Sequence, residues 1–371
     1  MQFELDEKQR IAWLRLIRSE NVGAATFRDL INHCGSAHVA IEMLPELAKR
    51  GGRLSKVRIA TLAEAEAELE AVSRHGARIV GIGEPTYPPL LRQMEHAPPM
   101  ITIRGNSRVF THPAVGIVGS RNASMVGIKM ATKLASDLGN AGFAITSGLA
   151  RGIDRAAHDA ALARGTVAVL AGGIDRPYPP ENLDLLRQIE EDGTGCSITE
   201  QPFGLEPRAR EFPKRNRIIA GLSIGLIVVE AATRSGSLIT ARLAGEMGRQ
   251  VFAVPGSPLD PRAAGTNGLI RDGATLVASA EDVLEAINPT INQGDGTHVQ
   301  ASLLEPDDTF TLPPPESVRD EILSLLGPTP TDMDDVIAQT GAKPSEVFLV
   351  ILELDLAGRI ERHSGNRVSL I

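Results

Sequence analysis

Residues 114–148 read "AVGIVGSRNASMVGIKMATKLASDLGNAGFAITSG". Two short apolar runs, "AVGIV" and "FAITS", flank a longer segment whose apolar residues have helical spacing. Apolar runs without alternation predict strands that are buried on both faces, and a helix between two such strands predicts that they pair in parallel. This stretch therefore predicts a β-α-β unit of an α/β sheet.

The same alternation continues along the chain. The apolar runs "TVAVLAGG", "IGLIVVEA", "QVFAVPG" and "TLVAS" follow, with helical stretches such as "IDRAAHDAALARG" and "LITARLAGEMGR" among them. Two additional short strands are expected within residues 78–105. Strands that alternate with helices predict a parallel sheet covered on both faces. We predict an extended Rossmann-like α/β domain over residues 76–288.

Both ends of the chain differ from this pattern. Residues 1–75 are helical, and the turn in "NVGAATFRDLI" is typical of a SAM-like or helix-hairpin-helix domain. Such a loop either holds DNA phosphates through its backbone amides or only joins packed helices. Residues 289–315 are polar and proline-rich, which predicts a linker. Residues 316–371 contain three helical stretches and two terminal strands, which predict a winged helix.

Composition limits the class of protein. The chain is 42% apolar and 23% charged, as in ordinary globular proteins, and it lacks an apolar run long enough to span a membrane. Its first ten residues are of mixed charge, unlike a secretory signal. Cys34 and Cys196 lie far apart, so they predict free thiols rather than a metal site. We therefore expect a cytoplasmic protein without a membrane segment.

Charge is distributed unevenly within the net value of −8. Residues 1–100 are neutral, residues 101–280 carry a net charge of +4, and residues 281–371 carry −12. The predicted sheet domain is thus the basic part of an acidic protein. This distribution permits an anionic ligand there.

Glycine and serine follow several of the predicted strands. In an open parallel sheet, ligands bind at the carboxyl ends of the strands, where glycines allow close approach and helix N-termini attract phosphate. A tight turn also favours glycine for steric reasons alone, so both explanations stand. The turn "GIVGSRNASMVG" lacks the G-x-G-x-x-G spacing, and the chain has no G-x-x-x-x-G-K-[ST] motif. NAD and ATP are therefore disfavoured, and no cofactor is predicted.

A basic segment, "REFPKRNRIIAGLS" at 210–223, surrounds one phenylalanine with four cations in a chain that is only 3% aromatic. An aromatic ring that stacks on a base requires single-stranded nucleic acid, and cations at a helix start favour a compensating anion. Alternatively, the phenylalanine is a core residue and the cations form a solvated helix start. The residues are Phe212 with Arg210, Lys214, Arg215 and Arg217, and Asn216 lies between the last two.

Candidates for catalysis are few. Glu230 ends a predicted strand and is placed to act as a general acid or base, but no second such group joins it. Asp154 and His158 are four residues apart on a predicted helix, the spacing of a local pair. The chain contains no H-E-x-x-H, Cys-His or G-x-S-x-G arrangement. We predict neither catalytic residues nor a metal site.

Six segments between about 115 and 275 together resemble one family. They are "VGIVGSRNAS", "AITSGLARGIDRAAHDAAL", "TVAVLAGGIDRPYPPENLDL", "REFPKRNRIIAGLS", "VVEAATRSGSLITARLAGEMGRQVFAVPGS" and "GTNGLIRDGA". The chain resembles the DNA-processing protein A (DprA, or Smf) family, and both ends resemble the terminal domains that accompany it. The resemblance implies a non-enzymatic homodimer. Such a protein binds incoming single-stranded DNA during natural transformation, shields it, and helps to load the RecA recombinase.

The resemblance also implies roles for individual residues. Arg121 matches a phosphate-binding arginine and Phe212 a base-stacking position, while Lys214, Arg215 and Arg217 lie in the family's basic segment. The other matching positions belong to glycine-serine turns around the same pocket, and they are Gly119, Ser120, Ser147, Gly148, Arg151, Gly236 and Ser237.

Two other functions stay open. One is a nucleotide-processing enzyme of the lysine-decarboxylase-like (LOG) type, although "LAGGID" and "VVEAATRSGS" replace the P-G-G-x-G-T-x-x-E turn of that type. The other is a duplex binder that uses the two end domains. The helix "KPSEVFLVILELDLAG" of the predicted winged helix has no cation between Lys343 and Arg359 but three acids. We therefore expect this module to contact a protein and not to bind DNA by itself.

Overall fold

The computed structural model describes residues 4–191, 193–292, 314–363 and 365–371. The described residues form two compact units. One unit contains residues 68–292, and the other combines residues 4–67 with 314–371. The predicted linker at 289–315 lies mostly outside the described residues. The predicted domain boundaries stay predictions.

The described residues form fifteen α-helices. In chain order they are α1 (Glu7–Ile17), α2 (Ala24–Cys34), α3 (Ala37–Arg50), α4 (Leu62–Arg74), α5 (Pro89–Arg92), α6 (Met125–Asn140), α7 (Ile153–Ala161), α8 (Leu183–Glu191), α9 (Glu211–Leu222), α10 (Gly236–Glu246), α11 (Ala264–Arg271), α12 (Ala280–Asn292), α13 (Glu316–Leu325), α14 (Met333–Thr340) and α15 (Pro344–Leu356). None of these helices combines the length and hydropathy that a membrane span requires.

The described strands belong to two sheets. They are β1 (Ala77–Gly81), β2 (Met100–Gly105), β3 (Ala114–Val118), β4 (Ala144–Ser147), β5 (Thr166–Val169), β6 (Cys196–Thr199), β7 (Gly225–Val228), β8 (Gln250–Ala253), β9 (Thr275–Leu276), β10 (Thr331–Asp332), β11 (Ile360–His363) and β12 (Arg367–Leu370).

The larger unit is built on a nine-stranded sheet in the order β1-β2-β6-β5-β4-β3-β7-β8-β9. The seven strands from β6 to β9 pair in parallel, whereas β1 and β2 form an antiparallel edge. The predicted Rossmann-like sheet is confirmed. The expected strands within 78–105 are β1 and β2, and their antiparallel pairing was not foreseen.

Helix α6 is an example of the helices that cover the faces of this sheet. The Ser124 side chain caps its N-terminus by accepting a hydrogen bond from the Gly127 amide at 3.0 Å. One face of the helix is apolar and packs with β3 and β4 in the central core of the unit. Each fully buried leucine or isoleucine there contributes roughly 1.5–3 kcal/mol. The buried residues of this face are Ala131, Leu134, Ala135 and Leu138.

Chain order places a topological switch at the centre of the sheet. After β3 the chain continues to β4, β5 and β6 on one side, then returns to β7 on the other side of β3. The connections from neighbouring strands therefore diverge between β3 and β7. In open α/β sheets a crevice for ligands forms at this point, beyond the carboxyl ends of the strands.

The smaller unit joins the two ends of the chain. Its N-terminal part consists of α1, α2 and α3, and its C-terminal part consists of α13, α14 and α15 with a three-stranded sheet in the order β10-β12-β11. The predicted N-terminal helical domain and C-terminal winged helix are confirmed. Strand β10 was not predicted, because its two residues are too few to produce a recognisable pattern.

Candidate nucleic-acid interface

A cavity of about 630 Å³ lies at the topological switch of the sheet. The turns after β3 and β7 form parts of its wall, and α9 and the start of α10 form others. Its lining includes Gly119, Ser120, Arg121, Asn122, Ala150, Asp154, Phe212, Arg215, Asn216, Arg234, Ser235, Gly236 and Ser237.

The turn after β3 depends on two glycines. A Cβ at Gly119 would lie 2.7 Å from the Ile153 side chain, and a Cβ at Gly152 would lie 2.3 Å from the Ser120 carbonyl oxygen. Gly152 also has a φ of +76°, which disfavours other residues. The Ile153 amide donates to the Ser120 carbonyl at 3.2 Å. These close contacts hold Ser120 and Arg121 at the cavity.

The start of α10 forms the opposite wall. The Ser235 side chain caps the helix by accepting from the Ser237 amide at 3.3 Å. Gly236 follows, and a Cβ there would meet nothing within 4 Å. The Asn216 side chain donates to the Gly236 carbonyl at 3.4 Å, which ties α9 to this turn. A helix N-terminus with open backbone and the exposed Arg234 beside it favours an anion.

Phe212 lies between cations at the rim of the cavity. The guanidinium carbons of Arg121 and Arg215 are 5.4 and 5.8 Å from its ring centroid, within the range of cation–π contact. The ring of Tyr178 meets Phe212 edge-on, with centroids 5.9 Å apart, and Tyr178 is 48% exposed. This aromatic pair, Phe212 and Tyr178, therefore stands beside two positive charges.

Arg215 lies beneath this rim. It is buried, and its Nη1 donates to the carbonyl oxygens of Gly148 and Val169. Burial lowers the pKa of Arg215 to about 10, while nearby Asp154 raises it. The guanidinium is thus charged at neutral pH, and it holds the loop after β4 while adding positive charge to the cavity.

Asp154 supports the same loop from α7. Its buried carboxylate accepts hydrogen bonds from the backbone amides of Gly148 at 3.1 Å and Ala150 at 3.4 Å. Burial raises the pKa of Asp154, and the charge of Arg215 opposes that rise. Asp154 therefore acts as a positioning group for the loop.

The structure brings most of the predicted site residues together. A smaller cleft adjoins the cavity at Arg121 and Phe212, and it is also lined by Gly148, Arg151 and Tyr178. Ser147 is an exception, because it is fully buried and its hydroxyl donates to the Ile117 carbonyl at 2.6 Å. The predicted residues that line the main cavity are Gly119, Ser120, Arg121, Phe212, Arg215, Asn216, Gly236 and Ser237.

Two predicted cations, Lys214 and Arg217, do not line this cavity. Arg217 donates to the His96 carbonyl at 2.8 Å and forms an ion pair with Glu200. Lys214 is exposed and lies 3.4 Å from Glu211. Arg210 also pairs with Glu211, at 2.9 Å. Protein carboxylates therefore supply the compensating anion for three of the four cations in this segment.

Several residues at the site were not predicted. They include Asn122, Asp154 and Arg234, which line the cavity, and Tyr178, which contacts Phe212. Arg234 lies two residues before the predicted Gly236 and Ser237. Tyr178 is one of only two tyrosines in the chain, and this rarity is the signal that could have identified it.

The candidate acid–base groups have structural partners. Glu230 accepts hydrogen bonds from the amide and hydroxyl of Ser124, at 3.0 and 2.6 Å, and thereby fixes the start of α6. His158 is fully buried, its Nδ1 is 2.7 Å from the Thr166 hydroxyl, and burial lowers its pKa to about 3. Within the described ranges, no three His, Cys, Asp or Glu side chains are grouped as metal ligands.

Comparison with known families defines the class of protein. The model of the DNA recombination-mediator protein A family matches residues 78–288. A DprA-like N-terminal HHH domain matches residues 7–71, and a DprA winged helix domain matches residues 306–366. The chain belongs to the DNA recombination-mediator protein A (DprA/Smf) family, whose members are DNA-processing proteins.

Individual relatives agree with this assignment. The chain is 39% identical to Protein Smf of Escherichia coli strain K12 over 289 residues, which cover 76% of this chain and 75% of the relative. The X-ray structure of DprA from Streptococcus pneumoniae matches with 34% identity and a TM-score of 0.60, covering 77% of this chain and 98% of that one. A structure of DprA from Helicobacter pylori, described as revealing a single-stranded DNA binding mode, shares the fold at 24% identity with a TM-score of 0.52, over 58% of this chain and 96% of that one.

Proposed function

We propose that this protein binds single-stranded DNA in the cavity at the topological switch. The observation that carries the proposal is the position of the Phe212 ring, within 6 Å of two guanidinium groups at the rim of the cavity. Arg121, Arg234 and the start of α10 hold phosphates, and the aromatic pair stacks on bases. Aromatic stacking of this kind contributes roughly 1–3 kcal/mol per base and tolerates any sequence.

The arrangement favours a single strand over a duplex. Base faces are hidden within a duplex, so an aromatic ring at a cavity rim gains a stacking partner only from an unpaired strand. Helix N-termini and arginines bind the backbone without reading sequence. We therefore expect binding that is independent of sequence and weakened by salt.

Family membership supports a wider role as a recombination mediator. We propose that the protein shields incoming single-stranded DNA during natural transformation and helps to load the RecA recombinase, acting as a homodimer without enzymatic activity. The description of the H. pylori relative, which concerns single-stranded DNA, supports the choice of ligand.

The test measures fluorescence anisotropy of labelled oligo-dT and of a matched duplex across a salt series. Arg121→Ala should weaken oligo-dT binding at least about tenfold, equivalent to about 1.4 kcal/mol. The logarithm of the binding constant falls linearly with the logarithm of the salt concentration. The steepness of this fall should decrease by roughly 0.7 for each phosphate that the variant no longer neutralises. Arg217→Ala is the matched control, since Arg217 is paired with Glu200 away from the cavity.

Two results would contradict the proposed site. Equal or tighter binding of the duplex would contradict a single-strand site, and equal losses from the Arg121 and Arg217 substitutions would contradict its location. In either case the aromatic pair would not be the ligand contact.

A nucleotide-processing enzyme of the LOG type is the alternative, because the cavity at the switch point has room for a single nucleotide. Such an enzyme needs a group that transfers protons to its substrate. Glu230 caps α6 and His158 is buried, which favours DNA binding over this chemistry. We expect no release of base from nucleoside monophosphates, and measurable release at micromolar enzyme would support the enzyme instead.

A further inference from the structure

Helix α15 carries apolar residues on two opposite sides, and both sides need cover. One side lies in the core of the winged helix and contributes Val347, Val350, Ile351 and Leu354. The other side is also buried, although it is not part of that core, and it contributes Leu349, Leu352, Glu353 and Leu356.

The second side of α15 is covered by the N-terminal helices. Helix α15 packs against α2 and α3 within the smaller unit. The approach is so close that a Cβ at Gly51, which follows α3, would lie 1.9 Å from the Glu353 carbonyl oxygen. Gly51 has an ordinary helical φ of −66°, so close packing rather than backbone strain requires glycine there.

Polar contacts fix the register of this packing. The Asn21 side chain donates to the Leu356 carbonyl at 3.1 Å, and the Thr26 hydroxyl donates to the Asp355 carboxylate at 2.8 Å. Asp29 forms an ion pair with Arg362 at 2.8 Å. Each of these contacts joins an N-terminal residue to a C-terminal one.

Glu353 is the buried charge at the centre of the contact. Its carboxylate accepts from Arg319 at 2.6 Å and lies 3.9 Å from the guanidinium of Arg50. Arg319 also donates to the Arg50 carbonyl at 2.6 Å. A buried carboxylate is tolerated only when paired, so Glu353 is matched to cations and not to a solvated surface.

We propose that the second side of α15 is a permanent docking surface for the chain's own N-terminal helices. In a helix-turn-helix module the second helix enters the major groove of DNA. Here α14 and α15 are the two helices of such a module, and α15 is the second. The side of α15 that would face the groove is covered by α2 and α3. The packing of α15 against α2 and α3, called the clasp below, then joins the two ends of the chain so that they unfold together as one unit. The winged helix is expected from its sequence to contact a protein, and we infer that this protein is the N-terminal part of the same chain.

Hydrogen exchange of the full-length protein tests the clasp. Gly51→Ala inserts a methyl group against the Glu353 carbonyl, and amide exchange in α2 and α15 should accelerate together by at least about tenfold, equivalent to about 1.4 kcal/mol. Gly23→Ala is the matched control, because a Cβ there would meet nothing within 4 Å. Unchanged exchange in α15, or faster exchange in α2 alone, would overturn the proposal.

A double-mutant cycle covers the case in which the glycine variant does not fold. Asp29→Asn and Arg362→Gln should be non-additive in urea unfolding, with a coupling of at least about twofold in the unfolding equilibrium constant. Additive effects would overturn the clasp. Oligo-dT affinity should be unchanged in both single variants, so failure of the clasp is distinguishable from failure of the DNA site.

Discussion

Arginine serves opposite purposes in the cavity of the larger unit and the clasp of the smaller one. In the clasp, Arg319 and Arg362 pair with carboxylates of the same chain at 2.6–2.8 Å. At the cavity, no ion pair holds Arg121 or Arg234 within the part of the chain that the structure describes. Paired arginines stabilise a fold, whereas unpaired ones beside a helix N-terminus remain able to bind a ligand anion.

The same contrast occurs within a single helix. Arg215 and Arg217 are two residues apart on α9, about 200° around the helix axis. Arg215 lines the cavity, while Arg217 reaches Glu200 and His96. A cluster of cations in a sequence therefore does not identify which of them face a ligand.

The largest expected effect is in the clasp. Arg319→Ala leaves the buried Glu353 carboxylate with only the weaker contact to Arg50 at 3.9 Å, and the free energy of unfolding should fall by about 3–5 kcal/mol. Urea unfolding measures this loss. The exposed Arg242–Glu246 pair, at 3.5 Å, provides the control, and Arg242→Ala should cost less than about 1 kcal/mol. A similar loss from both variants would contradict the distinction between buried and exposed pairs.

A pH-dependent effect is expected in the core of the larger unit. The pKa of His158 is lowered to about 3 by burial, so the unfolded chain binds a proton near pH 6.5 that the folded chain does not. Stability should therefore fall with decreasing pH below 6.5, by about 3 kcal/mol from this residue at pH 4. Urea unfolding from pH 7 to pH 4 should show a shallower pH dependence for His158→Gln. An identical pH dependence in the variant would refute this assignment.

A smaller effect is expected on DNA binding at the rim of the cavity. Phe212→Ala removes the stacking ring, and oligo-dT affinity should fall by about 1–3 kcal/mol. The free energy of unfolding should change less, because Phe212 is only half-buried. Phe212→Trp keeps a stacking surface and should retain most of the affinity in anisotropy titrations. Loss of binding in both variants would point to a packing role for Phe212.

The smallest effect is expected at Tyr178. Its ring is half exposed and contacts Phe212 edge-on, so Tyr178→Ala should weaken oligo-dT binding by about 1 kcal/mol. Tyr178→Phe retains the ring and should bind as the parent does. If the phenylalanine variant is as weak as the alanine variant, the hydroxyl rather than the ring contacts the DNA.

Several features were predictable because they depend on local pattern. Apolar runs and helical spacing identified the parallel sheet, and the Gly-Ser-Arg turn was correctly placed at the end of a strand. Other features depend on contacts between distant residues. Nothing in the sequence indicated that Glu230 holds the start of α6 through Ser124, because the two residues are more than 100 positions apart. The DNA-binding roles of the predicted residues stay predictions.

The sequence by itself determined the architecture, because hydrophobic periodicity and turn glycines are local properties. It also indicated the family, through the resemblance of six segments between about 115 and 275. Only the tertiary structure decided how each charge is used. Burial and pairing set the free energy of a charged group, and both arise from residues far apart in the chain. Arg121 at a cavity and Arg319 against Glu353 are the same residue type in the sequence, and only their surroundings separate an arginine that lines a cavity from one that pairs within the fold.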